Sequence, residues 1–145
     1  MDIIKAKIEA YLGTHPYLRL ATVTDNCTPQ VHTVGYVSEG ATVYFVTDSK
    51  SRKAENIYHN PAVSYAVDEN YEDVMEIQGV QMEGTASLVT IETEGIRILD
   101  LMARKFPGIE NIPPNPNLVC FKIEPAIGYF LDNTLEFGHR DRVEY

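Results

Sequence analysis

Three short runs of alternating apolar and β-branched residues follow one another near the start of the chain. They span residues 17–23, 30–37 and 41–47, with turn-forming residues at 25–29 and 38–40 between them. Consecutive parallel strands need a crossover of a dozen or more residues, whereas antiparallel strands can be joined by short turns. This spacing therefore predicts an antiparallel meander and argues against a parallel α/β sheet.

Further strand-like runs occur at residues 63–67, 74–89, 118–123 and 127–131. The run at 74–89 contains Gly79 and Gly84, and glycines inside a strand often mark bends or bulges at barrel corners. Glu124-Pro125 separates the last two runs, because proline cannot donate to a strand ladder. The total is six or seven strands.

Three amphipathic stretches predict helices between these runs. The first is capped by Asp2 and ends near Gly13, the second spans residues 52–59 and the third spans residues 93–106. Each carries apolar residues on one stripe and ends at a glycine or proline signal. The order of elements predicts a mainly β (α+β) protein, an antiparallel barrel with peripheral helices.

Length and charge limit the classes of function. The 145 residues are enough for one domain, which we expect to span 1–145. A net charge of -9 argues against a nucleic-acid groove, which needs clustered cations. The sequence shows no leader-like start and no apolar run of membrane-spanning length, so we expect a soluble, cytoplasmic protein without a membrane partner. Cys27 and Cys120 lie far apart without the spacing of a metal site, so no metal is expected.

The segment from Thr47 to Lys53 contains an unusual arrangement of charge. Ser51 is a good N-cap residue for the helix that follows, and the backbone N–H groups of a helix start attract anions. Arg52 and Lys53 place two cations in the same turn, against the helix dipole, at a cost of about 0.3–1 kcal/mol each. Either the pair is a solvated basic spot, or it binds a phosphate that reverses this cost.

Residues 44–61, Tyr-Phe-Val-Thr-Asp-Ser-Lys-Ser-Arg-Lys-Ala-Glu-Asn-Ile-Tyr-His-Asn-Pro, closely resemble the strand, loop and helix of the pyridoxamine 5'-phosphate oxidase superfamily. The resemblance implies an FMN-binding split β-barrel. It also implies that Arg52 and Lys53, with Ser51, hold the FMN phosphate. Val46 and Thr47 match the strand end that lies against the flavin.

The resemblance extends more weakly over the rest of the chain. His32, Thr33 and Val34 fall on the strand that lines the flavin ring and ribityl chain in the family. In the oxidase itself this strand begins with Arg and ends with Lys, where this chain has Val31 and Tyr36.

The C-terminal part also resembles the family. Phe130, Arg142 and His139 match segments that contact FMN from the other subunit of a homodimer, and Gln81 is a candidate donor to the flavin edge. The oxidase holds its phosphorylated substrate with an Arg and a His where this chain has Gly138 and Arg140. Oxidation of vitamin B6 is therefore not expected.

These residues lead to four hypotheses about function. The first is an FMN-dependent oxidoreductase acting on a small-molecule redox substrate or electron donor, in which the flavin is the reactive group and no residue is a covalent catalyst. The second is a non-enzymatic FMN-binding or electron-transfer protein. The third is a relative of the same fold that binds F420 or haem, and the fourth is a barrel without a ligand.

Overall fold

The computed structural model describes residues 2–145, without the side chain of Ile91. Its α-helices are α1 (Ile3–Thr14), α2 (Arg52–His59) and α3 (Ile96–Lys105), and a π-helical turn, Ile91–Gly95, precedes α3. The Asp2 side chain accepts hydrogen bonds from the first turn of α1, as its N-cap position predicts. The third helix is shorter than residues 93–106 because its first turn is π-helical.

Eight strands form one curled antiparallel sheet. The strands are β1 (Tyr17–Val23), β2 (Pro29–Gly35), β3 (Val37–Glu39), β4 (Thr42–Asp48), β5 (Ala62–Val67), β6 (Gln78–Val89), β7 (Leu118–Asp132) and β8 (Arg140–Glu144). Their order is β2-β1-β5-β6-β7-β4-β3, with β8 paired to β7. Because β2 also approaches β4, the sheet closes towards a barrel. The predicted mainly β fold with peripheral helices is confirmed.

The strands differ from the prediction in four places, and the predicted early meander is wrong, because β1 pairs with β2 whereas β4 pairs with β3 and β7. The strand β3 lies where residues 38–40 were expected to turn, and a 3-10 turn, Val74–Glu76, precedes β6 where a strand was expected. Residues 118–131 were expected to form two strands separated at Glu124-Pro125, but β7 runs through both residues as one strand. Pro125 lies opposite Gly84 at a shift in the β6–β7 register, where a missing N–H donor is tolerated. The tail adds the strand β8, which was not predicted from the sequence.

Apolar side chains form two clusters. The main cluster fills the barrel and includes the stacked rings of Phe45 and Phe121, whose centroids are 5.5 Å apart. Ala54 and Ile57 on the inner face of α2 join this cluster, so α2 packs against the barrel interior. The second cluster packs α3 against β3 and β4, through Val37, Tyr44, Ile98 and Met102.

Across residues 2–145, no helix is both long and apolar enough to cross a membrane.

Gly84 provides a test of the β6–β7 crossing. A Cβ atom at Gly84 would lie 2.4 Å from the Glu124 carbonyl oxygen, so Gly84→Ala must shift one backbone against the other. We expect the free energy of unfolding to fall by about 1–3 kcal/mol, as in overpacked cores. Urea denaturation monitored by circular dichroism measures it.

Gly13→Ala is the matched control, because a Cβ atom at this helical position meets nothing within 4 Å. It should raise stability by about 0.5–1 kcal/mol. Equal destabilisation by both substitutions would contradict the steric explanation.

Candidate functional site

The start of α2 is tied directly to the end of β4. The hydroxyl groups of Thr47 and Ser51 are hydrogen-bonded at 3.1 Å, and the Ser51 hydroxyl accepts the Ala54 backbone N–H at 3.3 Å. The Ser51 N–H donates to the Asp48 carbonyl oxygen at 3.0 Å. These bonds fix the first turn of the helix against a strand of the barrel core. Three residues predicted from the sequence, Thr47, Ser51 and Arg52, are thereby brought together.

Arg52 and Lys53 lie at this helix start without acidic partners. Within residues 2–145 no carboxylate lies within 4.0 Å of either side chain, although the chain has 21 acidic residues. Partial burial, and then the charge of Arg52, lower the pKa of Lys53. Two adjacent cations beside the positive end of a helix dipole therefore form a site that favours an anion.

A buried polar network lies beside these cations. The Asn56 side-chain amide donates to Gln30 Oε1 and to Thr22 Oγ1, each at 2.9 Å, and Thr22 Oγ1 lies 2.8 Å from His32 Nε2. Since the Thr22 oxygen already accepts from Asn56, its own proton is best donated to His32 Nε2. His32 Nδ1 then carries the ring proton and remains a donor.

His32 itself is held in its neutral form. Burial lowers its pKa below the ordinary 6.5, and the charges of Lys53 and Arg52 lower it further. The imidazole thus adds no third positive charge to Arg52 and Lys53. An anion bound between Arg52 and Lys53 would weaken this effect and favour protonation of His32.

Two cavities lie at opposite ends of β2. A polar cavity of about 270 Å³ is lined by Gln30, Asn56 and Arg52, together with the carboxylates of Asp25 and Glu55. An apolar cavity of about 610 Å³ is lined by residues that include Gly35 and Val46. Gln30 and Gly35 are five residues apart, or about 17 Å along an extended strand.

The remaining residues predicted on β2 divide between the two faces of the sheet. His32 and Val34 point inward, and Val34 belongs to the main apolar cluster. Thr33 is exposed on the outer face. Gln30 has the same parity as His32 and Val34, whereas Gly35 has that of Thr33, so the two cavities adjoin opposite faces of β2 and Thr33 shares the face of the apolar one.

Gln81 and Arg142 share a row on the outer face with Thr33. The row crosses six strands by direct pairing, from Thr33 through Arg19, Ala66, Gln81 and Tyr129 to Arg142. Five strand spacings separate Thr33 from Arg142, about 24 Å along the curved sheet.

Arg142 pairs with Tyr129 on β7, whereas Thr47, beside the cation pair, pairs with Val119, ten residues or about 34 Å away along the same strand. One subunit therefore does not bring Arg142 to the cation pair of its own α2.

Phe130 and His139 are not brought to the α2 site within one chain. The Phe130 ring is buried in the main cluster, edge-on to Tyr11 with centroids 5.8 Å apart. His139 Nε2 lies 3.0 Å from Asp141 Oδ2 near the start of β8. Their contact with FMN across a subunit interface stays a prediction.

Three residues of the buried polar network were not predicted from the sequence as site residues: Thr22, Gln30 and Asn56. A signal for Asn56 was present, because it is polar on the helix face that otherwise buries Ala54 and Ile57. Thr22 and Gln30 lie directly opposite each other on β1 and β2, a pairing that depends on strand register. Only the fold reveals that pairing.

The fold and the α2 site define a split β-barrel with an anion cradle where a core strand passes into a helix. Residues 4–132 match the sequence family described as pyridoxamine 5'-phosphate oxidase. The match covers most of the chain, which therefore belongs to this family. No curated protein matches the sequence significantly.

Solved structures share the fold at low sequence identity. The haem-binding protein of Mycobacterium smegmatis is 14% identical with a TM-score of 0.85, over 99% of this chain but only 59% of that protein. HutZ, the haem storage protein of Vibrio cholerae, is 21% identical with a TM-score of 0.72, over 83% of this chain and 88% of that one. General stress protein 26 of Bacillus anthracis is 23% identical with a TM-score of 0.70, over 97% and 98%.

His32 predicts a pH dependence of stability. Its lowered pKa means that the unfolded chain takes up a proton near pH 6.5 while the folded chain does not. This contribution to stability is complete above about pH 6.5 and is lost as the pH falls below it. Urea denaturation at about pH 7.5 and 5.5 should show a smaller loss for His32→Gln than for the unchanged protein.

His59→Gln is the control, since it removes a histidine from the exposed end of α2. This variant should keep the larger loss. An unchanged pH dependence in His32→Gln would contradict the assignment to His32.

Proposed function

We propose that this protein is an FMN-dependent oxidoreductase. The observation that carries the proposal is the cation pair at the α2 start, which Ser51 ties to Thr47 at the end of β4, next to Val46 at the edge of an apolar cavity. FMN has the same polarity, with a phosphate at one end and a flat, largely apolar ring at the other. The family match supports this choice.

Each end of the cofactor is assigned to named residues. The Ser51 hydroxyl and the side chains of Arg52 and Lys53 hold the phosphate, and charge-assisted bonds of this kind contribute about 1.5–3 kcal/mol each. Asp25 and Glu55 line the polar cavity together with Arg52, whereas Ser51 and Lys53 do not. Because the carboxylates repel a phosphate, we assign the phosphate to the helix start and not to that cavity.

The flavin ring lies over the outer face of β2 towards Val46, where Thr33 supplies a polar contact. Gln81 lies three strands away in the same row, about 14 Å along the sheet, so this arrangement gives it no contact with the ring of its own subunit.

The bound flavin would supply hydride or electron transfer, and the protein supplies its binding and orientation. Arg52 and Lys53 fix the phosphate end, which sets the position of the ring along β2. The Thr22 hydroxyl donates to His32 Nε2, so the Nδ1 of His32 carries a proton and can donate it. No side chain in this arrangement needs to form a covalent bond with substrate.

Haem binding is the main rival, because two of the structural neighbours are named as haem proteins. Haem iron is held by a His, Cys, Met or Tyr side chain. The apolar cavity has no His or Cys among the described residues that line it, but it has Tyr17 and Met102. The absorbance spectrum of protein loaded with each cofactor distinguishes haem from FMN. F420 remains a rival phosphate-bearing ligand in the same titration.

We further propose that the protein is a homodimer whose FMN sites use both chains. Arg142 lies about 24 Å along the sheet from Thr33 in its own chain, too far to complete the same site. Exposed apolar residues on the outer face, among them Tyr17 and Val31, leave surface for a second copy to cover. A twofold contact is the commonest way to do so.

Removing the phosphate contacts tests the cofactor proposal. The double variant Arg52→Ala/Lys53→Ala should bind FMN at least about 100-fold more weakly, since two charge-assisted contacts are lost. Fluorescence titration with FMN measures the affinity, and circular dichroism checks the fold. Lys5→Ala/Arg104→Ala removes the same charge elsewhere and should leave the affinity unchanged. Equal affinity in the α2 variant would place the phosphate at another site.

Mixing two defective chains tests the shared site. Arg142→Ala alone should weaken FMN binding about 10-fold, while Arg97→Ala, similarly exposed and also paired with a glutamate, should not. Truncation is a poorer test because β8 contributes Val143 to the core. Mixing the Arg142→Ala chain with the Arg52→Ala/Lys53→Ala chain should restore one tight site per dimer.

Absence of this restoration in verified mixed dimers would show that one chain supplies both sets of contacts. A monomer in light scattering that binds one FMN would contradict the dimer itself.

A further inference from the structure

The apolar cavity has two walls from different parts of the fold. One wall is the outer face of the sheet, with Gly35 and Val46, and the other is α3 with the loop that follows it, including Leu99 and Met102. Its volume of about 610 Å³ is within the range of roughly 300–1,000 Å³ usual for small-molecule sites. The cavity is therefore large enough to hold a small-molecule ligand.

Phe106 fixes the distance between these walls. A Cβ atom at Gly35 would lie 3.1 Å from the Phe106 ring, so the ring packs closely on the strand backbone. The Tyr17 ring is a further neighbour, with centroids 6.1 Å apart. Met102 is buried in the second apolar cluster behind this contact. Aromatic rings and a thioether are well suited to contact a flat apolar molecule.

The charge of the lining excludes one large class of ligands. Among the described residues, no lysine or arginine lines the cavity, and Glu110 is its one charged side chain. A phosphate or carboxylate entering it would lose hydration without gaining a cation, which is strongly unfavourable. The family is named for a phosphorylated substrate, and this cavity offers no second anion site for one.

The cavity also adjoins the ring end of the proposed cofactor site, because Val46 belongs to both. We propose that this cavity binds the substrate of the oxidoreductase and that the substrate is an uncharged aromatic molecule without phosphate or carboxylate. The substrate then lies against the side chains of α3, with the flavin ring beside it at Val46 and outside the close contact of Phe106 with Gly35. This inference rests on the proposed function for its redox role, whereas the class of ligand rests on the cavity itself.

A matched pair of probes tests the ligand class. 1-Naphthol and 1-naphthyl phosphate carry the same aromatic ring, without and with a phosphate. Isothermal titration calorimetry of the full chain, with and without saturating FMN, should show naphthol binding at least about 10-fold more tightly in both states. Equal or tighter binding of naphthyl phosphate would overturn the proposal. Loss of naphthol binding on addition of FMN would overturn it too, because the flavin itself then fills the cavity.

A charge placed on the rim tests the location. Leu99→Glu puts a carboxylate at the cavity and should weaken naphthol binding at least 10-fold. Leu88→Glu makes the same substitution at an equally exposed leucine outside the cavity, 52% exposed against 49%, and should bind as the unchanged protein does. Naphthol binding by Leu99→Glu at full affinity would overturn the assignment. The assignment would also be overturned if Leu99→Glu changed only the oligomeric state measured by light scattering and left naphthol binding unchanged. This face would then be an interface between copies of the chain.

The FMN titration, made on the same samples, separates the two proposals. Naphthol binding without any FMN binding would support the ligand class and contradict the proposed cofactor. FMN binding without naphthol binding would support the cofactor and contradict the substrate class.

Discussion

The hydrogen bond between Thr47 and Ser51 joins the last inward-facing residue of β4 to the N-cap of α2. Because α2 also buries Ala54 and Ile57 in the barrel, the helix cannot rotate without disturbing the core. The two cations that follow Ser51 are therefore presented in a fixed direction. Their order comes from core packing, and no bound anion is needed to create it, which lowers the entropic cost of binding one.

The charge at the α2 start is opposite in sign to the net charge of the chain. The chain as a whole is strongly acidic, yet the cation pair has no acidic partner within salt-bridge distance in residues 2–145. The neighbouring network of Asn56, Thr22 and His32 is neutral, so it neither quenches the pair nor adds to its repulsion. No acidic side chain therefore neutralises the positive charge of Arg52 and Lys53, which stays available to attract an anion. A salt bridge from an exposed carboxylate to either cation would have contributed little stability.

The sequence was sufficient for those parts of the fold that depend on local patterns. The bounds of α2, the cap at Asp2 and the β1–β2 hairpin follow from periodicity, turn residues and capping chemistry. The pairing of β4 with β7, in place of the expected third strand of a meander, depends on contacts distant in sequence. The continuity of β7 through Pro125 was not predictable in this way, because it depends on Gly84 in a distant strand. The tail strand β8 is short and rich in charge, so its pairing with β7 overrides its weak local propensity.

The candidate site shows the same division. Ser51, Arg52 and Lys53 are contiguous, and their conflict with the helix dipole is visible in the sequence alone. The network of Gln30, Thr22 and Asn56 requires β1, β2 and α2 to be placed together. Likewise, the apolar cavity is made by α3 and a proline-rich loop lying across β2 and β4. Sequence patterns indicated that both segments exist, but not that they face each other.

The separation of the apolar side chains into two clusters has a consequence for how such proteins diversify. The barrel and α2 depend on the main cluster, whereas α3 and its loop rest on the second one. Substitutions in α3 can therefore reshape the cavity while leaving the cation pair of α2 and the barrel core intact. Proteins of this architecture can therefore acquire new ligands through substitutions in one peripheral helix. Because those substitutions spare the main apolar cluster, they carry little risk to folding.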